Sequence, residues 1–124
     1  RAVRTIRSNA KEFGINPARI GIMGFSAGGE VVSWVAYGDG KGDANAKDPV
    51  DKVNGKPDFQ MLVYPGPLGI PEKVPADAPP VFMVVATKGA HAFNMGYRSE
   101  FVSLRGWPQR MADWLMDMGY LNGK

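Results

Sequence analysis

Hydrophobic residues recur with a helical period at both ends of this 124-residue chain. Near the start, apolar positions three and four residues apart predict an amphipathic helix, with Arg4, Arg7, Ser8 and Lys11 elsewhere on its surface and with Gly14 at its end. Near the end, a second amphipathic helix is predicted, with Pro108 in its first turn and Gly119 after its last. The apolar faces consist of Val3, Ile6, Ala10 and Phe13 in the first helix and of Met111, Trp114, Leu115 and Met118 in the second.

Between these helices, three short apolar runs predict β-strands. They lie around Ile20 to Met23, from Phe59 to Tyr64 and from Val81 to Ala86. The third run is apolar at every position, which predicts burial on both faces, as in a parallel sheet. Residues 38–58 are rich in Gly, Asp, Lys and Asn and predict a connecting loop. The pattern therefore predicts an α/β fold: a small parallel sheet of three strands in chain order, with flanking helices and right-handed crossovers.

The first strand leads directly into Gly24-Phe25-Ser26-Ala27-Gly28, and an apolar helical face follows at Val31, Val32, Val35 and Ala36. A strand, a G-x-S-x-G turn and a helix in this order are typical of a nucleophile elbow, in which a sharp turn exposes the serine hydroxyl above the sheet. We expect Gly24 and Gly28 to give the backbone room to cross itself there. The alternative is an ordinary strand-to-helix turn in which Ser26 only caps the helix.

His91 is the only histidine, and it follows the third predicted strand. A serine hydroxyl needs an imidazole-like base near neutral pH, and the carboxyl end of a parallel strand is where ligands gather in such sheets. His91 is therefore the candidate general base; the alternative is a surface-loop histidine without a role. One histidine and no cysteine provide no set of ligands for a metal ion, so we expect neither a metal site nor a cofactor.

No side chain is an obvious acid to orient His91. Glu72 is a weak candidate on the correct side of the sheet, whereas Glu30, one helical turn after Ser26, is interpreted as a surface residue. The remaining aspartates in the first half of the chain are expected at the opposite end of the sheet: Asp39, Asp43, Asp48, Asp51 and Asp58. Three aromatic residues after the histidine could line an acyl or alcohol pocket or pack in the core, namely Phe93, Tyr97 and Trp107.

Composition narrows the class of protein. The chain is 44% hydrophobic and 22% charged, which is typical of a globular domain. A net charge of +3, with basic and acidic residues interspersed, disfavours nucleic-acid binding. We see neither a membrane-spanning apolar run nor a signal-peptide pattern, so we expect a soluble protein with no membrane partner. The compartment stays open.

Three segments resemble the C-terminal part of an α/β-hydrolase esterase, of the kind related to acetyl xylan esterases and the hormone-sensitive-lipase-like group. They are residues 13–29, with the elbow, residues 58–66, with Asp-Phe-Gln-Met-Leu-Val-Tyr-Pro-Gly, and residues 89–96, with Gly-Ala-His-Ala-Phe-Asn-Met-Gly. The resemblance implies that Ser26 is the nucleophile, His91 the general base and the Ala27 backbone N–H one oxyanion donor. The implied function is hydrolysis of small short-chain carboxylic esters through an acyl-enzyme.

The chain also departs from that family. Nothing matches the His-Gly-Gly-Gly loop that supplies further oxyanion donors, and Thr87 or Lys88 stands near the place of the catalytic acid. Residues 1–124 are therefore interpreted as a single truncated hydrolase domain with an internal deletion, a minimal part of the α/β-hydrolase fold. Bare sheet edges predict a homodimer or higher homo-oligomer. The alternative function is a catalytically degenerate fragment that serves as a binding or assembly module.

Overall fold

A parallel three-stranded sheet lies at the centre of the fold, in the order β1-β2-β3. The computed structural model describes residues 1–66, 71–86 and 91–121. In chain order the elements are α1 (Ala2–Ser8), β1 (Gly21–Phe25), α2 (Ala27–Tyr37), a 3₁₀ turn (Pro49–Lys52), β2 (Phe59–Val63), β3 (Val81–Val84), α3 (Val102–Arg105) and α4 (Trp107–Asp117). This architecture confirms the predicted α/β class and the predicted strand order.

The central strand β2 is buried at all five positions because it is covered on both faces. Phe59 and Met61 pack against Leu115 of α4, and Val63 packs against Trp107 at the start of the same helix. Helix α2 packs against β1 and β2. Successive side chains of a strand point to opposite faces, so the sheet lies between α4 on one side and α2 on the other.

The prediction that the third strand is buried on both faces is wrong. Val81 and Met83 are 41% and 50% exposed. By contrast, Phe82 and Val84 pack against the buried residues that lie between the sheet and α4. Strand β3 is at the edge of the described sheet, and α2 reaches only β1 and β2. An apolar run therefore predicted the strand correctly but could not show which face has a covering helix.

The first helix is shorter than predicted. Regular α-helix ends at Ser8, and turns continue to Gly14, whose φ of +64° is the left-handed conformation expected of a terminating glycine. The Asn9 side chain donates a hydrogen bond of 2.8 Å to the Thr5 carbonyl, which offers the backbone an alternative to continued helix. Of the four predicted apolar positions, Val3 and Ala10 are buried, whereas Ile6 and Phe13 are exposed.

Arg7 is part of the internal framework, contrary to its predicted place on the polar face. Its guanidinium donates to the carbonyls of Pro17, Asn54 and Lys56 and to the Asp58 carboxylate, the last at 2.7 Å. The same carboxylate oxygen accepts the Ile20 N–H at 2.8 Å. Arg7 and Asp58 therefore link the residue before β1 to the residue before β2, and so help to fix the position of the two strands along their common direction.

Within the described residues, no helix is long and apolar enough to cross a membrane.

Candidate active site

Ser26 occupies a strained turn between β1 and α2, with φ 51° and ψ −123°. Such a conformation costs a non-glycine residue about 1–3 kcal/mol and persists only where its surroundings enforce it. Here the Ser26 N–H donates to the Val63 carbonyl at 3.0 Å, and the Ser26 carbonyl accepts the N–H groups of Gly29 at 2.9 Å and Gly66 at 3.2 Å. The backbone of Ser26 is therefore held against the end of β2, as a nucleophile elbow requires.

Only one of the two glycines predicted to give the backbone room at this turn does so. A Cβ on Gly24 would lie 2.1 Å from the Gly28 carbonyl oxygen, so the prediction is correct at Gly24. It is wrong at Gly28, where a Cβ would meet nothing within 4 Å. The second tight position is Gly29, where a Cβ would lie 2.8 Å from the Cβ of Pro65. The adjacent glycine pair was visible in the sequence, but the approach of Pro65 was not.

The structure brings Ser26 and His91 together across a separation of 65 residues, with 2.8 Å between Ser26 Oγ and His91 Nε2. In the tautomer with hydrogen on Nδ1, Nε2 accepts the serine hydroxyl hydrogen. A distance of 2.6–3.2 Å is what a nucleophile and its general base need. The pair can therefore move a proton from Oγ to the imidazole.

The loop that carries His91 is anchored to the C-terminal helices. Ala92 and Asn94 have φ values of 56° and 49°, so the chain turns sharply after the histidine. The Trp107 indole N–H donates to the Asn94 carbonyl at 3.0 Å, and a Cβ on Gly96 would lie 2.0 Å from the Leu104 carbonyl oxygen. Trp107 is only 1% exposed, which decides its role in favour of core packing.

No carboxylate in the described residues forms a hydrogen bond or ion pair with His91. Glu72 is exposed, and no hydrogen bond or ion pair joins it to the histidine. Glu30 is half-buried, and its Oε1 would lie 1.9 Å from a Cβ on Gly66, so it borders the elbow instead of facing freely into solvent. Thr87 and Lys88, which stand near the expected place of the acid, lie outside the described residues.

Three of the five aspartates predicted at the opposite end of the sheet pair with arginines, whereas Asp39 and Asp43 accept backbone N–H groups. Asp58 pairs with Arg7, and Asp48 and Asp51 both pair with Arg1. The Val50 N–H and the Arg1 guanidinium hold the pKa of the Asp48 carboxyl below its ordinary value. These carboxylates join α1 to the loop after α2, away from the serine.

The Ala27 N–H is the first amide of α2, and no backbone acceptor for it lies within the described residues. An unpaired amide at a helix N-terminus carries partial positive charge and suits a developing oxyanion. Gly66, which also could have supplied such a donor, instead directs its N–H to the Ser26 carbonyl. Ala27 thus stays an oxyanion candidate whose N–H has no backbone acceptor among the described residues.

A pocket of about 320 Å³ is lined by Phe93, Asn94, Met95, Gly96, Tyr97 and Arg98. Its lining includes neither Ser26 nor His91, so a role of Phe93 and Tyr97 in an acyl or alcohol pocket stays a prediction. Tyr97 is 70% exposed, so its ring is available to a bound molecule. The described residues include no group of three or more His, Asp or Glu side chains that could hold a metal ion.

A parallel sheet, a strained serine after a strand and an imidazole at the carboxyl ends define the α/β-hydrolase class. Residues 1–63 match the model of the BD-FAE family, which is half of the chain, and the chain belongs to that family. This confirms the resemblance to α/β-hydrolase esterases.

Two known proteins are similar to the chain. The crystal structure of an acetyl ester-xyloside bifunctional hydrolase from Caldicellulosiruptor lactoaceticus superposes with a TM-score of 0.78 at 22% identity, covering 98% of this chain and 64% of that chain. At this identity the likeness concerns the fold. An endo-1,4-beta-xylanase B from Butyrivibrio fibrisolvens is 40% identical over 65 residues, which are 52% of this chain and 10% of that protein. The chain therefore spans only part of the length of both.

Proposed function

We propose that this chain is a serine esterase that hydrolyses small short-chain carboxylic esters, with Ser26 as nucleophile and His91 as general base. The observation that carries the proposal is the 2.8 Å contact between Ser26 Oγ and His91 Nε2 on a strained elbow. Membership of an esterase family supports the reaction class. The similar solved structure is that of an acetyl ester-xyloside bifunctional hydrolase, so acetyl esters are the first substrates to test.

The reaction follows from these groups. His91 Nε2 takes the hydroxyl proton as Ser26 Oγ bonds to the ester carbonyl carbon, and the carbonyl oxygen becomes an oxyanion that accepts a hydrogen bond from the Ala27 N–H. The bond to the alkoxy group then breaks, and His91 returns the proton to the departing alcohol. Water attacks the acyl-enzyme with His91 again as base, which releases the carboxylic acid and restores Ser26.

We expect the activity to be weak, because the described residues supply one oxyanion donor candidate and no acid at His91. Removing one oxyanion donor typically costs about 10²–10³ in rate, and disabling a triad acid about 10⁴, although these factors do not multiply simply. Activated esters such as 4-nitrophenyl acetate should therefore be hydrolysed, whereas amides should not.

The test is covalent labelling with a fluorophosphonate together with 4-nitrophenyl acetate hydrolysis. The wild-type chain should be labelled at Ser26 and should release nitrophenol, and Ser26→Ala should do neither. Ser33→Ala is the matched control, because the Ser33 hydroxyl is fully buried and donates to the Glu30 carbonyl. Hydrolysis that is unchanged by Ser26→Ala would overturn the proposal.

A second candidate, an assembly module without catalysis, is favoured by the exposed apolar side chains of the β3 edge. Val81, Met83 and Val85 are 41%, 50% and 53% exposed, and such a strand edge readily pairs with another chain. An unlabelled wild-type protein that self-associates would support this candidate over the esterase.

A further inference from the structure

Tyr64 lies where β2 ends, and it contacts the candidate general base directly. Its ring centroid is 4.9 Å from that of His91, with an angle of 65° between the ring planes, and 4.6 Å from that of Phe93. The ring centroid of Phe25, the residue before Ser26, is 5.7 Å from that of Tyr64. Tyr64 is 8% exposed, whereas His91 is exposed, so the imidazole at the surface contacts a buried tyrosine ring.

The backbone of Tyr64 is strained. Its φ is +38°, a left-handed conformation that glycine and asparagine adopt far more readily than a bulky aromatic residue. The Tyr64 N–H donates to the Val84 carbonyl at 2.8 Å, which holds this conformation against β3. Strain of this kind clusters at functional sites, where the surroundings maintain it.

We propose that Tyr64 is a positioning residue that orients the His91 imidazole toward Ser26 Oγ. The inference rests on the proposed esterase function. A triad acid normally fixes the tautomer and orientation of such a histidine, and the described residues place no carboxylate there. Edge-to-face aromatic pairs have a preferred geometry, so rotation of the imidazole away from Ser26 would break its contact with the Tyr64 ring. The ring, and not the phenol hydroxyl, makes this contact.

Two substitutions distinguish an effect of the aromatic ring from an effect of side-chain volume. Tyr64→Phe retains the ring and should keep kcat for 4-nitrophenyl acetate within about twofold of wild type. Tyr64→Leu removes the ring and should lower kcat by about tenfold or more while KM changes by less than about twofold, because orientation of the base matters after the substrate is bound. Phe82→Leu is the control, because Phe82 packs against the buried cluster that contains Tyr64, and no ring contact joins it to His91.

The single histidine also permits a direct spectroscopic test. In NMR spectra of the wild-type chain, the His91 ring protons should show nuclear Overhauser contacts to the Tyr64 ring and a ring-current shift that Tyr64→Phe retains and Tyr64→Leu loses. Absence of these contacts in the wild type would overturn the proposal even if Tyr64→Leu failed to fold. Equal losses of kcat in Phe82→Leu and Tyr64→Leu would also overturn it. Failure of the esterase proposal is distinguishable, because it appears as unchanged hydrolysis in Ser26→Ala.

Discussion

At the residue scale, the elbow depends on a small number of close approaches between backbone segments. Ser26 has a positive φ, and Gly24 faces the Gly28 carbonyl oxygen at a distance that excludes a Cβ. The two outer glycines of the motif therefore have unequal structural importance. This inequality can be measured with a matched pair of substitutions.

Gly24→Ala should destabilise the fold by about 3 kcal/mol or more, because the new Cβ would overlap backbone that cannot move aside cheaply. Gly28→Ala should leave stability unchanged or raise it by up to about 1 kcal/mol, because alanine is the better helix former and the Cβ would meet nothing within 4 Å. Urea unfolding of both variants measures the difference. Equal destabilisation by the two substitutions would contradict the geometry of the turn.

The candidate general base and the weak candidate for the acid should contribute unequally to the esterase activity. His91→Ala should remove nearly all esterase activity, because no other imidazole exists in the chain. Glu72→Ala should cost less than about twofold, because Glu72 is exposed and makes no described contact with His91. Rates with 4-nitrophenyl acetate check both. A loss of about 10⁴ in Glu72→Ala, the size expected for a triad acid, would instead identify Glu72 as that acid.

At the scale of elements, the position of β1 depends on a side chain from α1. Arg7 is 11% exposed at its side chain and joins the segment before β1 to the segment before β2 through Asp58. Without the Arg7 guanidinium, the Asp58 carboxylate would keep one backbone donor, the Ile20 N–H. Three backbone carbonyls would also lose the hydrogen bonds that they accept from Arg7.

Arg7→Met should therefore destabilise the chain by about 2–3 kcal/mol, the size expected for losing hydrogen bonds to a charged group. Lys11→Met is the control, because Lys11 is exposed and its substitution should change stability by less than about 0.5 kcal/mol. Thermal and urea unfolding give the comparison. If both substitutions had the same small effect, Arg7 would be a surface residue in solution, as its sequence position first suggested.

At the scale of the whole molecule, the described sheet has β1 at one edge and β3 at the other. Apolar side chains are exposed beside the β3 edge and on α2, where Val31 and Trp34 are 61% and 60% exposed. Exposed strand edges and apolar patches of this kind favour association with another chain. The homo-oligomer predicted from the sequence remains our proposal for this surface.

Light scattering at micromolar concentration should therefore give twice the chain mass of 13.4 kDa. Met83→Lys, which places a charge on the exposed face of β3, should shift the protein toward monomer. Val74→Lys changes an exposed residue in the loop before β3 and should leave the dimer intact. A compact wild-type monomer would contradict this proposal, and a dimer that tolerates Met83→Lys would place the interface elsewhere.

The sequence by itself determined the elements whose signals are local. The strand, the serine turn and α2 are contiguous, so glycine spacing and hydrophobic period were enough to predict the elbow and the nucleophile candidate. His91 could be singled out because it is the only histidine. Three parallel strands in chain order followed from three apolar runs, and the structure confirms them.

Only the tertiary structure decided which residues meet across long separations. The contact of Ser26 with His91 spans 65 residues. Three other features depend equally on how the elements pack: the approach of Pro65 to Gly29, the contact of the Tyr64 ring with His91, and the burial of Arg7. The exposure of β3 was decided in the same way, since it depends on where α2 lies and not on the strand's own composition. Local patterns specify the conformation of a segment, whereas its neighbours are set by the packing of the whole chain.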